Sequence, residues 1–404
     1  MSRKSLILLF VISVVGALFI QWSDSPGLIP GDRVSLSKAE YYQLVGTQQR
    51  YQKLMDLEHE IREKYYIDPA EIDFDTAIYK GLFSSLDRYS TYYTPQEYDD
   101  YTSGLSGEFV GIGATVEAFE DVVRVVEPFR NGPAERAGLL PEDIIWQVDE
   151  TPLSGLSLDE SVELIRGQAG TAVVLHVRRG SENLERRVSR AKVTNPSVVW
   201  EKRNDIGYIR ISHFESPTAQ QFREALKALR QDNIRGLVLD LRSNPGGYLH
   251  VVVDIAEQIL GRTTIVTEVS RTEEEKVYAS RGGSALDIPS VVLVDHSSAS
   301  ASEILAAAVQ DTDSAQIIGD TTTGKGVVQT SYRLQDGSGF KITTARYLTP
   351  SGRDLHGVGV VPDIDLAAIT QAGYDQPEVL RFGAEDDGVL HFAIDFLEAA
   401  LALR

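Results

Sequence analysis

The spacing of apolar residues changes rhythm along this chain, and each rhythm predicts a different kind of element. An apolar run at 6–20 follows Arg3 and Lys4. Residues 23–35 are rich in Ser, Pro, Gly and Asp and read as a linker. Over 36–66 isolated apolar positions stand in a polar background, which predicts helices. Residues 77–86 (AIYKGLFSSL) read as a short amphipathic helix, broken by Asp87-Arg88-Tyr89-Ser90.

Between 107 and 179 the runs shorten to GIGATVEA, VVRVVE, IIWQVD and VVLHVRR, with a helix-like segment at 159–165. Short strands with one or two helices predict a small β-rich domain. From Gly207 onward YIRIS, GLVLDLR, VVLVD and AQIIG alternate with helical patterns at 218–229, 251–260 and 302–309. That alternation predicts an α/β core. The tail from 367 is acidic and ends in an amphipathic helix, FAIDFLEAALAL. The expected domains are 1–24 (anchor or signal), 25–35 (linker), 36–104 (N-terminal helical region), 105–183 (β-rich domain), 184–365 (α/β core) and 366–404 (C-terminal helical tail).

Charge and composition narrow the partners. The 404 residues carry a formal net charge of −20, which argues against nucleic acid, whose phosphates need Lys and Arg. With no cysteine, a thiol nucleophile, thiolate metal sites and disulfides are excluded. A basic start followed by an apolar stretch is the pattern of an export signal. The run is a little short for a span of about 20 residues, but Trp22 can sit at the interface and extend it. No A-x-A cleavage site follows, so an uncleaved anchor is expected, with the bulk of the chain on the extracytoplasmic (periplasmic) side.

Three segments could carry chemistry. In DHSSASASEILAAA (295–308) a strand ends in a turn of small residues and a helix begins. A serine there lies beside backbone N–H groups able to hold an oxyanion, although Ser298, Ser300 and Ser302 could equally be turn formers and a cap. In TTTGKGVVQ (321–329) Lys325 sits between glycines with Gln329 four residues on. On a helix or a strand that spacing shares a face, so Gln329 could orient the amine. A lysine acts as a base only when neutral, and lowering its pKa from about 10.4 to about 7 costs roughly 4–5 kcal/mol, which burial can supply. In LVLDLRSNPGGYL (237–249) paired glycines allow close backbone approach. Residues 319–325 begin like a phosphate-binding loop, but Gly326 replaces the hydroxyl residue that Mg²⁺ needs. His296, four residues before Ser300, is a rival base.

In this order the segments resemble the carboxyl-terminal processing peptidases, or tail-specific proteases. The resemblance rests on SASASE (298–303), GKGxxQ (324–329), LDLRxNPGG (239–247), RYLTPSGR (346–353) and GxGVxPD (357–363), with GLFSSLDRYSTYY upstream. Arg88 stands where the family usually has Pro. The resemblance implies a crotonase/ClpP-like α/β protease core with an inserted PDZ domain. Family spacing, 25 residues from nucleophile to lysine, implies Ser300 as nucleophile. It implies Lys325 as general base, Gln329 as its orienting partner, Gly246 and Ala301 as oxyanion donors, and Glu303 as a supporting group. It makes Phe109, Gly111, Ile112 and Gly113 the PDZ loop for a chain-terminal carboxylate. Arg166 is implied as the residue linking PDZ position to the protease body. Expected partners are proteins or peptides with apolar C-termini and a membrane at the N-terminal segment. No metal or cofactor is needed. A homodimer, an activating adaptor protein and a non-catalytic adaptor role stay open.

Overall fold

The computed structural model describes residues 37–403 except 130, 283–285 and 375–381. The expected anchor at 6–20 and the linker at 23–35 lie outside the described residues. The chain divides into one unit ending at Phe74 and another beginning at Asp75. In the first, Lys38–Lys64 is a single helix started by a reciprocal cap. Ser37 Oγ accepts from Glu40 N, and Glu40 Oε2 accepts from Ser37 N. No residue of this helix is buried. No helix among the described residues is long and apolar enough to cross a membrane.

The second unit is built on a six-stranded sheet. Its order is Val198–Arg203, Ile206–Ile211, Gly236–Asp240, Ser290–Val294, Gln316–Gly319 and Ile364–Asp365. All neighbours pair in parallel except the first two. The central strands are mostly apolar because both faces are covered. Leu237, Leu239, Val292 and Val294 face the helices Thr218–Gln231, Leu249–Ile259 and Ala301–Asp311. Val238, Val291 and Leu293 face the C-terminal helix Gly388–Ala402 through Val389, Leu390 and Leu397.

A second, antiparallel sheet packs on the helices of this core. Its central strand Gly339–Leu348 pairs with Thr263–Ser270, Val327–Arg333 and Thr91–Tyr93. The expected N-terminal helical region thus also lends the core a strand, Thr91–Tyr93.

The small β-rich domain is a sheet in the order Ala114–Phe119, Val122–Pro128, Ile144–Val148, Ala172–Arg179, Glu182–Ser189. Its own core centres on Val125, Ile145, Leu175 and Val188. The last strand pairs along its whole length with Ala172–Arg179. Ala191–Thr194 then pairs with Glu108–Gly111. The hairpin strand that completes this sheet thus runs past the expected boundary at 183, and the pair Glu108–Gly111 and Ala191–Thr194 forms a separate two-stranded sheet.

Candidate active site

Three loops leave the carboxyl ends of three adjacent parallel strands, Gly236–Asp240, Ser290–Val294 and Gln316–Gly319. Open α/β sheets place their clefts at that edge. The loops are LRSNPGG, DHSSAS and the lysine loop, so three motifs distant in sequence meet at one end of the sheet. They are stitched together there. Both Asp295 oxygens accept from Ser243 N at 2.9 Å, and Ala299 N donates to Asn244 O at 3.0 Å. A cleft of about 560 Å³ follows, lined in part by Gly246, Ser300, Ala301, Lys325, Gln329 and Tyr347.

Local geometry separates the serines. Ser298 and Ser302 are fully buried, and their hydroxyls donate to Leu241 O and Asn244 O, both at 2.9 Å. They are structural. Ser300 stands at the start of helix Ala301–Asp311 with φ 57° and ψ −112°, a conformation side chains rarely adopt. It lines the cleft, and its Oγ lies 3.0 Å from the Tyr347 hydroxyl. Ala301 N is one of the donors a helix leaves free in its first turn.

The strained turn is pinned by Glu303, whose side chain is fully buried. Its carboxylate accepts from Ser300 N at 2.8 Å, Thr322 Oγ1 at 2.6 Å, Gly324 N at 2.6 Å and Lys325 N at 2.8 Å. One side chain thus fixes the serine turn against the lysine loop. Thr322 Oγ1 also accepts from Val360 N at 2.7 Å, and Gly357 N donates to Gly324 O at 2.9 Å. The GVGVVPD segment is the backing of the lysine loop.

Lys325 is half-buried, and its amine stands 5.2 Å from the centre of the Tyr89 ring. Burial pushes its pKa below the usual lysine range. The positive charges of Lys341 and Arg88 push in the same direction, against a smaller opposing pull from Glu303. Tyr89 also receives a hydrogen bond at 2.6 Å from Arg88 Nη2.

Two expected partnerships take another form. Lys325 lies in the loop before strand Val327–Arg333, so a shared strand face does not relate it to Gln329. Gln329 follows an irregularity in the strand register, and its Nε2 donates to Val327 O at 3.2 Å. Gly246 N donates to Asn244 Oδ1 at 2.9 Å. Gly246 itself, at φ 103°, has no room for a side chain, since a Cβ would lie 2.8 Å from Ala299 O and from Ser300 Cβ. His296 is exposed, and its carbonyl accepts from Thr323 Oγ1 at 2.8 Å. It does not line the cleft.

In the small domain, Phe109 and Gly111 lie on the strand paired with Ala191–Thr194. Ile112 is buried in the domain core, and Gly113 has φ 71°. The carbonyls of Ile112 and Gly113 are held by Ala134 N at 2.7 Å and Phe129 N at 2.9 Å. Strand Ala114–Phe119, which follows this loop, is the sheet edge. Arg166 pairs with Glu163 at 3.1 Å and lies 6.0 Å from the Phe109 ring centre. Both contacts are within the small domain.

Sequence reasoning gave no role to Tyr347, Thr322, Lys341, Asn244 or Tyr89. Tyr347 lies inside the quoted RYLTPSGR, but its reach to Ser300 depends on how two sheets meet, and no spacing reveals that.

Comparison with known proteins agrees with this architecture. The profile of Peptidase family S41 matches residues 205–366, and a PDZ domain profile matches 122–179. A protein of Staphylococcus epidermidis (strain ATCC 12228 / FDA PCI 1200) named "Probable CtpA-like serine protease" is 34% identical over 366 residues. The match covers 90% of this chain and 71% of that protein. A solved structure described as an S41 protease from Bacteroides fragilis NCTC 9343 shares the fold, with TM-score 0.54 and 16% identity, covering 85% of this chain and 97% of that one. The solved photosystem II D1 C-terminal processing protease is 31% identical, with TM-score 0.48, covering 82% and 92% of the two chains. The chain belongs to peptidase family S41. It is a CtpA-like serine protease, and its small domain is a PDZ domain.

Proposed function

We propose that this protease is an endopeptidase that cleaves proteins from or near their C-termini, with Ser300 as nucleophile and Lys325 as general base. The observation that carries this reading is the meeting of Ser300, on a strained turn, with a half-buried lysine of lowered pKa in one cleft. Neutral Lys325 takes the Ser300 proton as Oγ attacks the scissile carbonyl. Ala301 N and Gly246 N hold the oxyanion, the latter after release from Asn244. The leaving amine takes the proton from Lys325, and an acyl-enzyme remains. Water, deprotonated by Lys325, then frees the acyl group. Gln329 orients the amine once it turns from Val327 O.

In the same reading the PDZ loop at Phe109, Gly111, Ile112 and Gly113 receives the terminal carboxylate. The substrate tail then adds to the open edge Ala114–Phe119 as a further strand. The PDZ domain also gates the site. Helix Pro95–Ser106 runs directly into the PDZ connection at Gly107 and lines the cleft with Tyr101, Thr102 and Leu105. A moving PDZ domain would pull on that helix. The N-terminal apolar run tethers the enzyme to the membrane with the protease outside the cytoplasm.

The test follows cleavage of an unfolded reporter protein with an apolar C-terminus, with and without a saturating tail peptide. Wild type should cut, faster with the peptide, while Ser300→Ala and Lys325→Ala should be inactive and Ser300→Ala should lose sulfonyl labelling. Activity surviving in Lys325→Ala but lost in His296→Ala would replace the base. A rate indifferent to tail peptide and to removal of residues 108–194 would remove the gate.

A further inference from the structure

We propose that Tyr347 donates a hydrogen bond to Ser300 Oγ and eases the departure of that oxygen when the acyl-enzyme is hydrolysed. The inference rests on the Ser300–Lys325 reading above. The Tyr347 hydroxyl is 3.0 Å from Ser300 Oγ, and the ring is buried in the main core. Its placement is firm. Tyr347 sits near the end of strand Gly339–Leu348, paired with Glu268, and its N–H donates to Gly326 O at 3.1 Å. One backbone hydrogen bond therefore joins Tyr347 to the residue after Lys325.

The direction of the hydrogen bond follows from proton inventory. Burial, outweighing the opposing hydrogen bond with Ser300 and aided by the nearby Glu303 carboxylate, keeps the phenol protonated above its ordinary range. A serine oxygen has one proton and two lone pairs. Its proton goes to Lys325, so one lone pair accepts from Tyr347 while the other attacks. The contact has unequal consequences for the two half-reactions. In acylation the donor eases loss of the serine proton but dulls the oxygen as a nucleophile, and these effects offset. In deacylation the bond from the acyl carbon to Oγ breaks, the electron pair goes to Oγ, and the Lys325 ammonium returns a proton to it. A donor already on Oγ stabilises that developing charge. Tyr347 keeps its own proton throughout.

The experiment uses the full chain in detergent with p-nitrophenyl butyrate. The nitrophenol burst reads acylation, the steady rate reads deacylation, and intact mass reads butyryl-Ser300. Tyr347→Phe should keep the burst rate within about twofold and slow turnover about tenfold, the loss of one hydrogen bond to a charged centre, with butyryl-enzyme accumulating. 3-Fluorotyrosine at 347, a stronger donor, should speed deacylation. Equal slowing of burst and turnover, or an unchanged deacylation rate, overturns the proposal. Should Tyr347→Phe fail to fold, the fluorotyrosine protein decides alone, and no acceleration overturns it. Absence of butyryl-Ser300 in wild type overturns the Ser300 reading itself and this inference with it.

Discussion

At the scale of single residues the site is governed by how charge and strain are held. Lys325 is half-buried near two cations, with one carboxylate opposing them. On the proposed mechanism the rate rises with pH as the amine loses its proton. Lys341→Met removes a like charge, so the ammonium becomes easier to keep. The acid limb of kcat/KM should move to higher pH, with the plateau retained above it. Loss of the Glu303 charge should move the same limb to lower pH. A pH profile that stays in place in both variants would mean that another group sets the limb. Ser300 has its own requirement, since its φ of 57° survives only because the surroundings hold it.

At the scale of elements, the ends of strands matter more than their middles. Glu303 joins the first turn of one helix to the loop after the next strand through four accepted hydrogen bonds. Glu303→Gln replaces one acceptor oxygen by an N–H facing donors. We expect a stability loss of roughly 3 kcal/mol, read as a lower thermal midpoint, with at least a tenfold fall in kcat because serine and lysine lose their common anchor. An unchanged midpoint would show that the loops are held by other means.

This scale also explains what the sequence could and could not disclose. The buried strands at 236–240 and 290–294 and the helices beside them were legible, because apolar runs and 3.6-residue periodicity follow directly from burial. So was the sequence order of the three motifs. The antiparallel sheet of Thr263–Ser270, Lys276–Ser280, Val327–Arg333 and Gly339–Leu348 was not, because its strands mix buried, half-buried and exposed positions. Tyr347 was hidden with it. Gln329 illustrates the same limit: its spacing from Lys325 was visible, but the loop that breaks their shared face was not.

At the scale of the whole molecule, one buried ion cluster ties together distant parts of the chain. Arg242 bonds both Asp240, at the end of a core strand, and Asp387, at the start of the C-terminal helix, at distances of 2.6–2.9 Å. Tyr208 adds a bond to Asp240 at 2.9 Å. Burial alone would raise Asp387, yet Arg242 holds its carboxyl below the usual range. Arg242→Met strands two carboxylates in the core at a cost of about 3–5 kcal/mol. Limited proteolysis should then cut near helix Gly388–Ala402 in the variant before wild type, and equal resistance would show that apolar packing suffices.

The PDZ domain is joined to the protease through a short two-stranded connection. The strands that lead the chain in and out of it lie side by side, Glu108 opposite Thr194 and Gly111 opposite Ala191, and Asn195 N closes the pair on Gly107 O at 2.8 Å. Its two ends meet the protease as a single ribbon. For a protein engineer that ribbon is a socket. Any ligand-binding domain with neighbouring termini can be spliced between 111 and 191 without asking the core to reroute its chain, and, on the gating proposed above, the signal that commands proteolysis becomes a part to be exchanged.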